Sequence, residues 1–213
     1  MELKEIIKFL TKAFQLNIPI IEEFKLQPAD ILVNVNSEKD LLSRLKRWAI
    51  GPYSHVFLYM GKVSLLTDWG LERIIKVPML FESIGRGVCL RSLSERYGEQ
   101  VVVMRLKLYE NRRQIPAVIT QAIKLASDLQ AYYDYSVIAW HIIPRIFFEK
   151  LHLSIPLKYQ RDEKQICSEA VAEVFWRTEM NILPQDIAPL PGDFVESSLL
   201  EQVWYGKLSS EIV

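Results

Sequence analysis

Three side chains of this 213-residue chain are of the types that perform nucleophilic catalysis when they meet: Cys167, His55 and Glu82. A cysteine attacks as its thiolate, which the positive end of a helix or a neighbouring imidazolium stabilises. Cys167 stands near the start of ICSEAVAEVFWRTE, where Cys167, Ala170, Val171, Val174 and Phe175 recur at helical spacing, so it lies in the first turn on the core side. His55 opens the strand-like run SHVFLYM and can serve as the base. Glu82 sits inside MLFESIG, where an ionised carboxylate is costly without a partner, and such a group can orient an imidazole. Each has a plainer reading. Cys167 can be core packing, His55 a hydrogen-bonded structural residue, and Glu82 one half of an ion pair with Arg86 or Arg91.

Other candidates carry less. In a regular strand Tyr53 shares a face with His55, so its hydroxyl is a candidate substrate-binding or oxyanion donor, with a core or rim tyrosine as the alternative. Cys89 lies beyond a glycine turn with no helix start or histidine to activate it, so it is expected as a buried strand residue without a role. Glu169 reads as surface or capping charge. His141 and His152 do not supply ligands at metal-binding spacing, and no metal or other cofactor is expected.

The elements that must position these groups follow from pattern. A helix is expected over 1–14 and a strand over 29–35 (ADILVNV). Asn36 and Ser37 are caps for a second helix carrying Leu41, Leu42, Leu45 and Trp48. Strands follow at 54–60, ended by Gly61, and at 63–67, 79–84 and 101–108. Together they predict a mostly antiparallel sheet. Pro116 opens a helix running to about residue 130, and a Pro-interrupted helical stretch covers 136–151 before the helix of Cys167. That apolar stretch, AWHIIPRIFFEKLHL, is either ordinary packing or a wall over a substrate cleft.

Composition narrows the function. Twenty-six basic and 26 acidic residues balance, so no broad field exists to hold nucleic acid or an anionic membrane. Two cysteines are too few for a disulfide framework and fit a reducing compartment. Charges at positions 2, 4, 5, 8 and 12 interrupt the apolar run of a secretory signal, and no window reaches the roughly 18 apolar residues of a membrane span. A cytoplasmic location is expected. With neither repeats nor a linker-like segment, the length fits one domain over 1–213.

In order along the chain, PADILV, SHVFLYMG, FESIGRGV, and AYYDYS followed by ICSEAV resemble the permuted branch of the NlpC-type papain-like proteins. The resemblance is to the YiiX/YebB-like group, related to lecithin retinol acyltransferase. It covers about residues 28–180 and leaves 1–26 as a helical extension and 181–213 as a carboxyl-terminal one. It implies an α+β, circularly permuted papain-like fold, with Cys167 as nucleophile, His55 as base and Glu82 as third member. Two departures stand out. Ala29 replaces the motif's usual glycine, and residues 62–78 are longer than the usual hairpin, which makes Glu72 the fallback for Glu82. The implied activity is cysteine-dependent hydrolysis of an amide in a small peptide or amino-acid-derived substrate. The alternatives are lipid acyl transfer or ester cleavage, and a non-catalytic binding module.

Overall fold

β-Branched and aromatic runs form strands where the sequence predicts them, and strands at both ends of the chain join the same sheet. The computed structural model describes residues 20–35, 51–67, 73–85, 87–107, 113–128 and 166–210. The expected helices over 1–14 and 37–49, the 136–151 stretch, the AYYDYS segment, and Glu72, Arg86, His141 and His152 lie outside the described residues.

The strands are β1 (Ile20–Glu22), β2 (Ile31–Val35), β3 (Tyr53–Thr67), β4 (Arg73–Ile84), β5 (Gly87–Ser92), β6 (Gln100–Leu106) and β7 (Leu200–Ser209). They form one seven-stranded sheet in the order β1-β7-β6-β2-β3-β4-β5. Among these described strands, only β1 and β7 pair in parallel. Three described helices accompany it: α1 (Ile115–Ala126), α2 (Cys167–Trp176) and the single turn α3 (Asp193–Glu196). The architecture is α+β. Helix α1 starts at Ile115 with a proline in its first turn and stops at Ala126, earlier than expected. There the Ser127 hydroxyl donates to the Ile123 carbonyl and its amide closes the last turn.

Alternation sorts the core onto two faces. Ile31, Val33, Val56, Leu58 and Phe81 pack with Val118 and Ala122 of α1 and with α2. Leu32, Phe57, Tyr59, Leu80 and Val103 belong to a second cluster with Leu93. Helix α2 is buried on every side, not only along its apolar stripe. Residues 180–194 cover its other flank: Ser168 Oγ donates to the Pro189 carbonyl at 2.7 Å and Trp176 Nε1 to that of Leu183 at 3.0 Å. The stretch read as a carboxyl-terminal extension therefore covers the helix of Cys167 and supplies β7.

Gly61 was expected to end a strand, and instead β3 runs through it. The register with β4 shifts between Tyr59 and Gly61, and Gly61 takes φ 89° where an added Cβ would meet Pro28 at 3.1 Å. The glycine makes a bulge, so the two expected strands are one. The long 62–78 segment lengthens the β3–β4 hairpin at its far end and leaves the register near Glu82 intact, with Leu58 opposite Phe81.

Ahead of β2, Ala29 keeps the left-handed conformation that suits the motif's usual glycine, at φ 69°. For an L-residue this costs about 1–2 kcal/mol, against about 0.5–1 kcal/mol for the extra chain entropy that glycine loses on folding. Ala29→Gly is expected to raise stability by about 0.5 kcal/mol in urea unfolding. A loss of about 1 kcal/mol, as alanine-to-glycine gives in regular structure, would contradict that strain.

Candidate active site

His55 lies in β3 opposite Asn34 of β2. The next pair along is Val35 with Tyr53, so Ser54 is an extra residue in β3. This bulge breaks the alternation expected for Tyr53. Tyr53 does not share a face with His55; it packs with the helix-side core, against Gly192, where an added Cβ would lie 3.3 Å from the ring. Its place is on the side from which α2 approaches.

Glu82 lies in β4 and is completely buried, with Cys89 of β5 opposite. Its Oε2 is 2.7 Å from His55 Nε2 and 2.5 Å from Arg96 Nη2, while Arg91 Nη1 stands 3.6 Å from Oε1. Glu82 therefore bonds a histidine and pairs with arginine at once: with Arg91, one of the two partners expected from the sequence, at 3.6 Å, and more closely with Arg96, which was not expected. Arg96, on the short 3-10 turn Leu93–Arg96, was not singled out from sequence. The signal was there, because a buried carboxylate facing a ring that titrates requires a fixed cation. Cys89 is half-buried, not buried as expected, and burial together with the nearby Glu82 charge pushes its thiol pKa up.

Cys167 is the first residue of α2, next to the N-cap Ile166. Glu169 reaches back to accept the Ile166 amide at 3.2 Å; it caps the helix and is buried rather than on the surface. Helix α2 packs on β3 and β4 where the two strands part, since their ladder begins at Leu58 and Phe81. Val56 lies beyond that last pair. Its amide, that of Ser168 and the His55 ring all act on the sulfur to favour its charged form. With Nε2 on Glu82, the ring's Nδ1 is left to face Cys167. The structure thus brings the three predicted residues together, from a helix start and two neighbouring strands.

Their electrostatics differ from those of free side chains. Burial alone would lower the His55 pKa, but the sulfur's charge and hydrogen bond, then those of Glu82, outweigh it and raise it from 6.5 to about 9. Burial likewise pushes the Cys167 thiol up, yet the His55 charge, the ring's hydrogen bond and the two backbone amides bring it below its ordinary 9.0. For Glu82, hydrogen bonding from His55 and the charge of Arg96 overcome burial and hold the carboxyl below its usual range. Both shifts favour a thiolate–imidazolium pair, backed by a carboxylate. Cys167 is 8 % exposed and the His55 side chain 19 %, so the pair is shielded but not sealed. Such a pair can attack an acyl carbon and return a proton to a leaving group.

No family model and no curated protein sequence matches the chain. Among solved structures it is similar to YiiX from Escherichia coli O157:H7, described as a metalloprotein, at 16 % sequence identity and a TM-score of 0.50. The match covers 85 % of this chain and 98 % of YiiX. The metal belongs to that neighbour's description. Among the described residues here, no group of three or more His, Cys, Asp or Glu side chains could hold a metal ion, and Cys167, His55 and Glu82 are strung in series rather than converging on one point. What the likeness carries at this identity is the backbone: this chain has a YiiX-like fold.

Proposed function

We propose that the chain is a cysteine hydrolase with a permuted papain-like arrangement, cleaving an amide bond in a peptide or amino-acid-derived substrate in the cytoplasm. The observation that carries this reading is the Cys167 sulfur at the start of a helix, against a histidine whose far nitrogen is 2.7 Å from a buried carboxylate. The histidine strand precedes the nucleophile's helix in the chain, the reverse of the papain order. The amide class follows from the family resemblance.

In the proposed reaction the Cys167 thiolate adds to the substrate carbonyl carbon. His55 gives its Nδ1 proton to the departing amine as the C–N bond breaks, leaving a thioester on Cys167. Water then attacks the thioester with His55 taking its proton, the C–S bond breaks, and the acid leaves. Glu82 fixes the ring through both steps. A cavity of about 670 Å³, lined in part by Asn181, Leu183, Gln185, Pro189 and Asp193, lies in the segment that covers α2, and none of Cys167, His55 and Glu82 lines it. Its lining residue Pro189 accepts the hydroxyl proton of Ser168, the neighbour of Cys167.

The test is amide hydrolysis followed against pH, with a panel of aminoacyl and dipeptide amides. Because the leaving amine needs the His55 proton, kcat/KM is expected to fall as pH rises through about 9. Alkylation of Cys167, which needs only the thiolate, is expected to stay high above that pH. Hydrolysis that kept rising beyond that pH would contradict His55 as the acid. Thioester formation from phospholipid, with no turnover of any amide, would favour the lipid acyl alternative. An unreactive thiol of ordinary pKa would favour a binding module.

A further inference from the structure

A buried carboxylate that backs an imidazolium must remain ionised when the ring gives up its proton, or it takes that proton itself. That needs a second cation. Arg96 Nη2 lies 2.5 Å from Glu82 Oε2, the same oxygen that holds His55 Nε2. The guanidinium is itself anchored, with Nη1 donating to Glu99 Oε1 at 3.0 Å. Glu99 Oε2 accepts from Asn34 Nδ2 at 2.5 Å, and Asn34 Oδ1 accepts from the hydroxyl of Ser54, the residue before His55, at 2.9 Å. These side chains close a circuit behind the imidazole. Beneath it, the Phe57 ring lies 5.5 Å from Arg96 Cζ and 5.8 Å from the His55 ring centroid.

We propose that Arg96 is a positioning residue: it keeps Glu82 ionised and its Oε2 seated on His55 Nε2 through the reaction cycle, and so acts on Cys167 through both. The inference rests on the reading of Cys167, His55 and Glu82 as one working unit. The other groups facing Glu82 do not replace Arg96. Arg91 stands 3.6 Å from Oε1, is about a third exposed and is paired with Glu95. Cys89, across the β4–β5 ladder, carries a thiol whose pKa is raised.

The sign of one shift tests this. In a full-length chain carrying Cys89→Ser, iodoacetamide reports on Cys167 alone, and its rate is followed from about pH 5 to about pH 10. Glu82→Gln weakens the imidazolium and moves the profile to higher pH. Arg96→Gln is expected to move it the same way, each slowing alkylation about tenfold near neutrality, and the double variant is expected to lie within about twofold of either single one. Were Glu82 to stay ionised and seated without Arg96, its unshielded charge would strengthen the imidazolium and move the profile to lower pH. That opposite shift, an unchanged profile, or additive losses overturn the inference. If circular dichroism shows Arg96→Gln unfolded, Arg96→Lys decides: a profile between wild type and Glu82→Gln is expected, and one identical to wild type overturns it. His55→Ala separates the two levels. If it leaves the profile unchanged, the active-site reading itself fails; if it shifts the profile and the Arg96 variants do not, only the role of Arg96 falls.

Discussion

Cys167→Ala is expected to lower amide turnover by about three orders of magnitude or more, because the other thiol, Cys89, faces the Glu82 charge rather than an imidazole. Cys89→Ala is expected to stay within about twofold of wild type. The two cysteines differ by environment, not by chemistry. Cys167 has a helix start, two backbone amides and the His55 ring near its sulfur, which bring its thiol below the ordinary value. Cys89 faces the Glu82 charge from a half-buried strand position, which favours the protonated thiol. The measurement is hydrolysis of the best substrate by each variant, with folding checked by circular dichroism. Comparable losses in both would mean that the sulfur at position 167 is not the one that attacks.

The second large effect concerns stability. Asp30 is 1 % exposed, and Arg105 from β6 meets it with two bonds, Nε to Oδ1 and Nη2 to Oδ2, each 2.7 Å. Asp30 also accepts the Gln27 amide at 2.8 Å, fixing the turn in which Ala29 is left-handed. Asp30→Ala strands a mostly buried guanidinium and an amide at the entrance to β2. Removing one partner of such a pair costs about 3–5 kcal/mol. Because Arg105 Nη2 also donates to the Lys25 carbonyl and Arg105 feels the Glu201 charge, the lower end, about 3 kcal/mol, is expected. Against a whole-domain stability of about 5–15 kcal/mol this is severe. Urea unfolding reads it. Asp30→Leu combined with Arg105→Met is expected to recover most of the loss, since no charge is then left alone. A change under about 1 kcal/mol for Asp30→Ala would show the pair to be effectively solvated.

Much of this arrangement was legible before any coordinates, and the reasons are local. SHVFLYM and VVVMRLKL are dense in β-forming residues, and the apolar stripe beginning at Cys167 marked both the helix and the place of this cysteine in its first turn. Glu82 was conspicuous as a charge inside an apolar strand. What escaped depends on distant partners. Strand β7 buries little beyond Leu200, Gly206 and Leu208 and is placed by its pairing with β6, which no pattern within LEQVWYGKLS announces. Strand β1 has three residues, too short for any period to register. The bulges at Ser54 and Gly61 changed what alternation implied, turning Tyr53 to the helix side and joining two strands into one. Arg96 comes from a turn, and Arg105 lies 75 positions from Asp30; in both cases the sequence shows a carboxylate in need but not the cation that answers it.

The proposed reaction requires that His55 hold the Cys167 sulfur as a thiolate. The most direct measurement is the pH dependence of Cys167 alkylation, with the adduct located by peptide mass spectrometry, in the wild-type chain and in His55→Ala. The predicted result is fast modification at Cys167 well below pH 9.0, the ordinary thiol value, and a profile displaced to higher pH when the imidazole is removed. A Cys167 that reacts only as an ordinary thiol does, with the same profile in both proteins, would contradict it.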